Sequence, residues 1–471
     1  MLAAGIALSM TACGNKDYGH HEKGVANTDT SQTQFAIMGA QSALSPGYDD
    51  NVVLNQLQED AGISIEWTTM SESLAEQVNI RIAGDELPDV FMGVGFSNYD
   101  ISRYGDDGTF IDLTPYLTEE YMPNLSKILE ENPDIRSAIT MDDGYIYGLP
   151  AGERMGTAGI GAAEDYYAGF GFTNWPNDVC NDLVLRSDGT VEFMCVTDQY
   201  RQALTYFHDW YAEGLMDVEM FSQSDTQLIS KCSQGYVGVS TWWYIEELMG
   251  DYAEDYVFLP ILDGPDGTHN VTVRTGGGIN SGQLNITKAC KSPANLLKFY
   301  DMWYEPENVM QLHYGPIGTY FTGQDEDGVW LSISNEESLE KYGKGSGELK
   351  GECEVAGPKL ILSDYYQTTF RMEDRAIERL TDLYDFWMPY VDDTSTYPVD
   401  CVFTGRELDD IDWYKANFES AVSEQEGLWI KNGGPTDEEW EAYIEHLRDK
   451  CGMDKLLAVY QNAYNRYSGK E

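Results

Sequence analysis

Between residues 35 and 92 the chain alternates short apolar runs with amphipathic stretches, and this alternation restricts the fold more than any other feature. Phe35-Ala-Ile-Met-Gly39 reads as a short buried strand. Residues 49–60 read as a helix with Val53, Leu54 and Leu57 on one face, closed by Gly62. Ile63-Ser-Ile-Glu-Trp67 alternates as a second strand. Residues 74–83 form a second helix ended by Gly84, and Pro88-Asp-Val-Phe-Met92 leads into a third strand. Strand, helix, strand, helix, strand predicts an α/β unit with a parallel sheet and crossover helices. Open sheets of this kind hold ligands beyond the carboxyl ends of their strands. That directs attention to the loops 39–48 and 93–99.

Further along, Thr197 caps a helix that carries Tyr200, Leu204, Phe207 and Tyr211 on one stripe, with Gly214 ending it. Tyr236-Val-Gly-Val-Ser240 reads as a buried strand running into Thr241-Trp242-Trp243-Tyr244. Asp263-Gly-Pro-Asp-Gly267 is a turn, and Ser292-Pro293 opens a helix with Leu296, Leu297, Tyr300 and Trp303. Thr436-Asp-Glu-Glu439 is a capping box ahead of Trp440, Tyr443, Ile444 and Leu447. Gly452 breaks that helix, and Met453, Leu456, Tyr460, Ala463, Tyr464 and Tyr467 stripe a final one.

At 471 residues the chain has material for two or three domains. Its 80 acidic against 29 basic residues give a formal charge of −51. That balance excludes nucleic acid as a partner, because phosphate binding rests on Lys and Arg. It also disfavours an anionic membrane surface or a polyanionic ligand. GxSxG, HExxH and P-loop signatures are absent, so the commonest hydrolase, metalloprotease and nucleotide-binding readings fail. Among so many acidic residues a pair of carboxylates that face each other carries no information about glycoside hydrolysis. None of the eight cysteines forms a CxxC, so neither a zinc site nor a redox motif is indicated, and buried free thiols are expected.

The first fourteen residues concern location. Leu2 to Met10 are mostly apolar, and Met10-Thr-Ala-Cys-Gly14 follows. The run is shorter than the roughly 20 residues a bilayer requires, and its order resembles the lipobox of a bacterial lipoprotein signal. The resemblance implies lipidation and cleavage at Cys13, with everything after it outside the cytoplasm. Residues 14–34 are rich in Gly, Asn, Asp, Thr, Ser and Gln, and read as a flexible tether.

A series of short motifs runs through the rest of the chain. They are Gly84-Asp-Glu-Leu-Pro-Asp-Val90, Phe110-Ile-Asp-Leu-Thr-Pro-Tyr-Leu117, Asp143-Gly-Tyr-Ile-Tyr-Gly-Leu-Pro150 and Tyr211-Ala-Glu-Gly-Leu215. Leu262-Asp-Gly-Pro-Asp-Gly267, Ile286-Thr-Lys-Ala-Cys-Lys-Ser-Pro293, Trp429-Ile-Lys-Asn-Gly-Gly434 and Tyr460-Gln-Asn-Ala-Tyr-Asn-Arg-Tyr467 complete it. In number and order they resemble bacterial extracellular solute-binding proteins of family 1, in particular LipO-type lipoproteins related to alginate- and oligosaccharide-binding proteins.

That resemblance implies a two-lobe, periplasmic-binding-protein-like (type II) α/β fold with a hinge and a ligand cleft between the lobes. Residues 1–34 would be signal and tether. Residues 35–150 with about 275–325 would form the first lobe, and 151–274 with about 326–471 the second. The implied role is the lipid-anchored, monomeric binding component of an ABC importer on the extracellular face of a Gram-positive membrane. Its partners would be an oligosaccharide and the permease subunits. After Pro150 the family pattern breaks: a stretch of roughly fifty residues, including a calcium loop, has no counterpart before the segment 166–175. No metal and no cofactor are therefore expected, and Asp325-Glu-Asp-Gly328 reads as an ordinary turn.

Sugars present flat C–H faces and rings of hydroxyls, which aromatic rings and a few placed polar groups recognise. Trp242 and Trp243 are the leading candidates, because they follow the expected strand 236–240 at its carboxyl end. Trp175 lies in a loop beside Asn174 and Pro176, and Tyr48, Phe96 and Asn98 lie on the first-lobe loops. Glu153 and Arg154 follow the crossing at Leu149-Pro150, where they either bind hydroxyls or pair with each other, and Tyr320 follows Gly315-Pro-Ile-Gly318. The chain is read as a binding protein and not an enzyme. A peptide or another polar solute is the alternative ligand, a surface glycoside hydrolase the remote one, and a receptor serving a sensor remains open.

Overall fold

The computed structural model describes residues 18–19, 21–154, 161–163, 166–173, 183–242, 245–274, 279–372, 374–391, 395–398, 401 and 403–469. The N-terminal alternation forms one four-stranded sheet. Gln34–Ala40 runs between Ser64–Met70 and Val90–Met92, parallel to both, and Leu284–Ile286 joins the far edge antiparallel to Val90–Met92. Asn51 caps the helix Val52–Ala61 through its side chain, and Gly62 closes it in the left-handed conformation. That helix buries Val53, Leu54 and Leu57 against Phe35, Ile37 and Val90 of the sheet. Leu296, Leu297, Tyr300 and Trp303, from the chain after Ser292-Pro293, complete this first core.

The stretch expected to be a flexible tether is docked from Tyr18 onward. The Gly24 amide donates to Asp112 at 2.7 Å, and the Asn27 amide to the Tyr116 phenol at 2.7 Å. Gln32 donates through its backbone to Ser292 and through its side chain to Asp89, at 2.9 and 3.0 Å. A polar segment has no core to build, but it can satisfy its own donors against a neighbour that offers matching acceptors. Cys13 lies outside the described residues.

A second core gathers the hairpin Leu183–Leu185 with Val191–Phe193 and four helices, Asp198–Ala212, Gly405–Asn432, Asp437–Cys451 and Met453–Tyr467. Thr197 caps the first of these and Thr436 forms the expected capping box of the third. Trp429, Trp440 and Tyr443 meet edge-on or tilted, with centroids 5.0–5.7 Å apart. Segment 236–240 departs from expectation. It is irregular rather than a buried strand, with Tyr236 76% exposed and Val239 58% exposed. Apolar alternation alone made it look like a strand; instead the Tyr236 amide donates to the Lys231 carbonyl at 3.2 Å and the Val237 carbonyl accepts from the Tyr256 phenol, so local turn contacts take the place of a sheet ladder.

The chain leaves the first core through Leu149 and Pro150. Ala151 bridges Asn280, and Gly152–Glu153 then pairs in parallel with Leu360–Ile361. A third cluster of buried side chains (Val309, Tyr314, Tyr320, Phe321, Ile361 and Phe370) gathers here. Leu362 touches both this cluster and the first core.

Candidate functional site

The carboxyl ends of the first sheet are tightly braced. Gly93, directly after the strand Val90–Met92, donates to Gln283 at 2.7 Å, and the amides of Gly95 and Phe96 share Gly282 as acceptor. A Cβ on Gly282 would approach the Phe96 carbonyl oxygen to 2.1 Å, so only glycine allows the two backbones this close. The Tyr48 phenol donates to the Ala40 carbonyl at 2.9 Å and accepts from the Ala356 amide at 2.8 Å. One hydroxyl thus ties the end of the first strand to a segment from the far part of the sequence.

Beside this rim, a polar group is assembled where the chain crosses. Glu153 accepts hydrogen bonds from the phenols of Tyr314, at 3.1 Å, and Tyr366. His313 lies next to Tyr314, with Nδ1 3.5 Å from Glu354 and Nε2 3.2 Å from the Lys350 ammonium. An ammonium has no acceptor, so Nε2 must accept and Nδ1 carries the proton toward Glu354. Burial, reinforced by Lys359 and Lys350, holds the His313 pKa well below the usual imidazole value, so the ring is neutral. Lys359 pairs with Glu354 at 2.7 Å, and burial lowers its pKa too. Two lysines and two glutamates balance in charge. The Glu153 and Glu354 side chains stay 33% and 35% exposed, so the group opens to solvent through its carboxylates. Such an arrangement offers hydrogen-bond acceptors beside aromatic rings, the pairing that polyhydroxylated ligands use.

The candidate residues fall into distinct places. Glu153 and Tyr320 come together around Tyr314, whose ring stacks on Tyr320 with centroids 5.7 Å apart; Tyr320 itself is buried. Arg154 does not pair with Glu153: its guanidinium is largely covered and holds Asp134 at 2.7 Å. Tyr48 is a core residue, 1% exposed and edge-on to Trp67, so its ring is not presented to a ligand. Phe96 turns inward onto Phe91, Tyr104 and Phe110. Asn98 is exposed at the start of the helix Asn98–Asp106. Trp242 is half-buried against the small cluster of Cys232, Leu248 and Met249, and the segment before it is not a strand. Trp175 and Trp243 lie outside the described residues. Tyr314, Tyr366, His313 and Lys359 were missed. Only the turn Gly315-Pro-Ile-Gly318 after His313-Tyr314 marks the place in sequence, and nothing local links it to Glu153.

The loop Asp325–Gly328 is an ordinary turn: Asp325 accepts from the amides of Asp327 and Val329 and pairs with Arg371 at 2.7 Å. Among the described residues no cluster of metal-ligating side chains occurs, and no helix is long and apolar enough to cross a membrane. The two main cores also touch directly. Gly405, opening the long helix of the second core, donates to Asp142 of the first, and the helix Asn98–Asp106 packs against that same long helix.

Comparison with known proteins bears on this architecture. No family model matches the chain. The fructooligosaccharide ABC transporter substrate-binding protein FusA of Streptococcus pneumoniae serotype 4 is 27% identical, the alignment covering 100% of this chain and 98% of that protein. This chain is a homologue of an ABC-transporter substrate-binding protein. Its fold agrees with that of FusA in complex with kestose, at a TM-score of 0.80 and 25% identity over 93% of this chain and 100% of the other. An HMO-binding, ABC-transporter-associated solute-binding protein of Bifidobacterium longum infantis shares the fold at a TM-score of 0.76 and 18% identity, covering 93% of this chain and 99% of that one. The family 1 solute-binding class and the two-lobe fold that its motifs resembled are thereby supported. The alignment with FusA is 541 positions long against 471 residues here, so 70 of its positions have no counterpart in this chain.

Proposed function

We propose that this chain is the substrate-binding component of an ABC importer and that it captures an oligosaccharide by closing its two lobes. The observation that carries this reading is end-to-end homology to FusA, a fructooligosaccharide transporter component. The group around Glu153 supports it: a partly exposed carboxylate held by two phenols beside a neutral histidine. Residues 35–150 with about 275–325 make the first lobe in this reading, and 151–274 with about 326–471 the second. Glu153 is the polar contact with sugar hydroxyls, Asn98 is a further polar candidate, and Trp242, Trp243 and Trp175 are the stacking candidates. Cys13 carries the lipid that holds the protein at the outer face of the membrane, near the permease, as a monomer. The chain performs no chemistry on its ligand.

Calorimetry with kestose and fructo-nystose, which FusA holds in its solved complexes, followed by a wider glycan panel, tests the reading. Heat with one of them, reduced by Glu153→Gln, is the expected result. Silence across the panel together with heat from a peptide or another polar solute would replace the ligand class and keep the fold. Release of reducing sugar during incubation would overturn the non-enzymatic part.

A further inference from the structure

The docked N-terminal arm has a consequence for how the protein stands on its membrane. Tyr18 donates to the Asp85 carbonyl at 2.8 Å and lies under the Lys288 ammonium, 5.0 Å from its ring centre. The Gly19 amide donates to Lys288 at 3.1 Å, and His21 Nε2 lies 2.8 Å from the Cys290 carbonyl oxygen. A side chain at Gly19 would collide with that same carbonyl, at 2.6 Å, so the arm fits closely here. Lys23 then bridges Asp106 and Asp143, and Asn27 donates to the Lys291 carbonyl at 3.0 Å. Asn295 donates to the Thr30 carbonyl at 2.9 Å. Every partner named here belongs to the first-core segments 85–143 and 288–295.

We infer that the arm fixes the first lobe against the lipid surface, with the face around Tyr18, Asp85 and Lys288 turned to the membrane, and leaves the closing motion to the second lobe. The inference rests on the reading of Cys13 as the lipidated residue. From Cys13 to Tyr18 there are five Cα-to-Cα steps, which reach at most about 18 Å. A chain fastened from Tyr18 onward therefore allows the anchored lobe little travel. A long flexible tether would instead let the whole molecule tumble and present either lobe. Because the arm grips one lobe only, it does not oppose hinge bending.

The test uses the full-length protein extracted from membranes and reconstituted in phosphatidylcholine vesicles that carry an acceptor dye. Donor dyes are placed, in a Cys353→Ser background, at Arg81→Cys, near the arm, or at Glu445→Cys, on the exposed face of the helix Asp437–Cys451. Strong transfer from the first position and clearly weaker transfer from the second are expected. A long Gly/Ser insertion between Asp17 and Tyr18 should lower and broaden the first signal. Equal transfer from both positions, or no effect of the insertion, overturns the inference. Hydrogen exchange of the Gly24, Asn27 and Gln32 amides reads docking without the lipid, and exchange at the rate of an unfolded chain would also overturn it. Intact mass separates the remaining failure: a Cys13 without diacylglycerol removes the anchor itself, and the inference falls with it, while sugar binding by calorimetry stands apart.

Discussion

The backbone amide of Gly405 donates to a carboxylate oxygen of Asp142 at 2.9 Å, joining the start of a 28-residue helix in the second core to a loop of the first. The first amides of a helix have no intrahelical acceptor, and an anion there also meets the positive end of the helix dipole. Asp142 further accepts from Ser102 at 3.4 Å, which holds it in place. Asp142→Ala should therefore weaken lobe closure by about 1 kcal/mol, read as roughly fivefold weaker glycan binding in calorimetry, with Asp142→Asn in between. Unchanged affinity in Asp142→Ala would mean that this contact plays no part in closure.

Tyr48→Phe removes one hydroxyl that serves both the Ala40 carbonyl and the Ala356 amide. The ring remains and still packs on Trp67. The expected loss is about 1 kcal/mol or somewhat more, seen as a lower midpoint in urea with an unchanged slope. Stability equal to the parent would show that water replaces the hydroxyl at no cost.

His313 predicts a pH dependence. Burial beside two lysines holds its folded pKa well below 6.5, whereas in the unfolded chain it titrates near 6.5. The unfolded state therefore binds more protons below that pH. The contribution of His313 is fully present above pH ~6.5 and is lost as pH falls, by at most about 1.4 kcal/mol per unit. His313→Gln should be less stable than the parent at pH 7.5, and the gap should narrow toward pH 5 in paired urea titrations. A constant gap would place the charge change elsewhere.

Among the described residues six cysteines stand outside disulfides, five of them buried, and burial raises the pKa of Cys232, Cys290, Cys353 and Cys451. The thiolate is the reactive form. In the folded protein iodoacetamide should label Cys353, the least buried, ahead of the other five, and peptide mass mapping over time checks the order. Early labelling of Cys290 would contradict its place in the first core.

Local chemistry was legible wherever the determinant lies within one turn or one strand. Thr197 and Thr436 cap helices because their hydroxyls reach amides a few residues on, and Gly62 ends a helix because it tolerates the left-handed conformation. The first sheet followed from the alternation of apolar runs for the same reason. Local pattern misled at Tyr236–Ser240, which has the composition of a strand but pairs with no strand among the described residues.

The sequence by itself determined the α/β class, the helices with their caps, the strongly acidic character, and the motif series whose resemblance the homology to FusA supports. Tertiary structure alone decided what the polar residues do. Tyr48 became a core staple because Ala356, 308 positions away, meets its hydroxyl. Glu153 acquired Tyr314 and Tyr366 from 161 and 213 positions downstream. The supposed tether docked because Asp112, Tyr116 and Ser292 supply partners that no reading of residues 18–33 contains. Apolar periodicity depends on neighbours along one element, whereas a polar side chain takes its role from whichever group the folded chain brings within hydrogen-bonding distance.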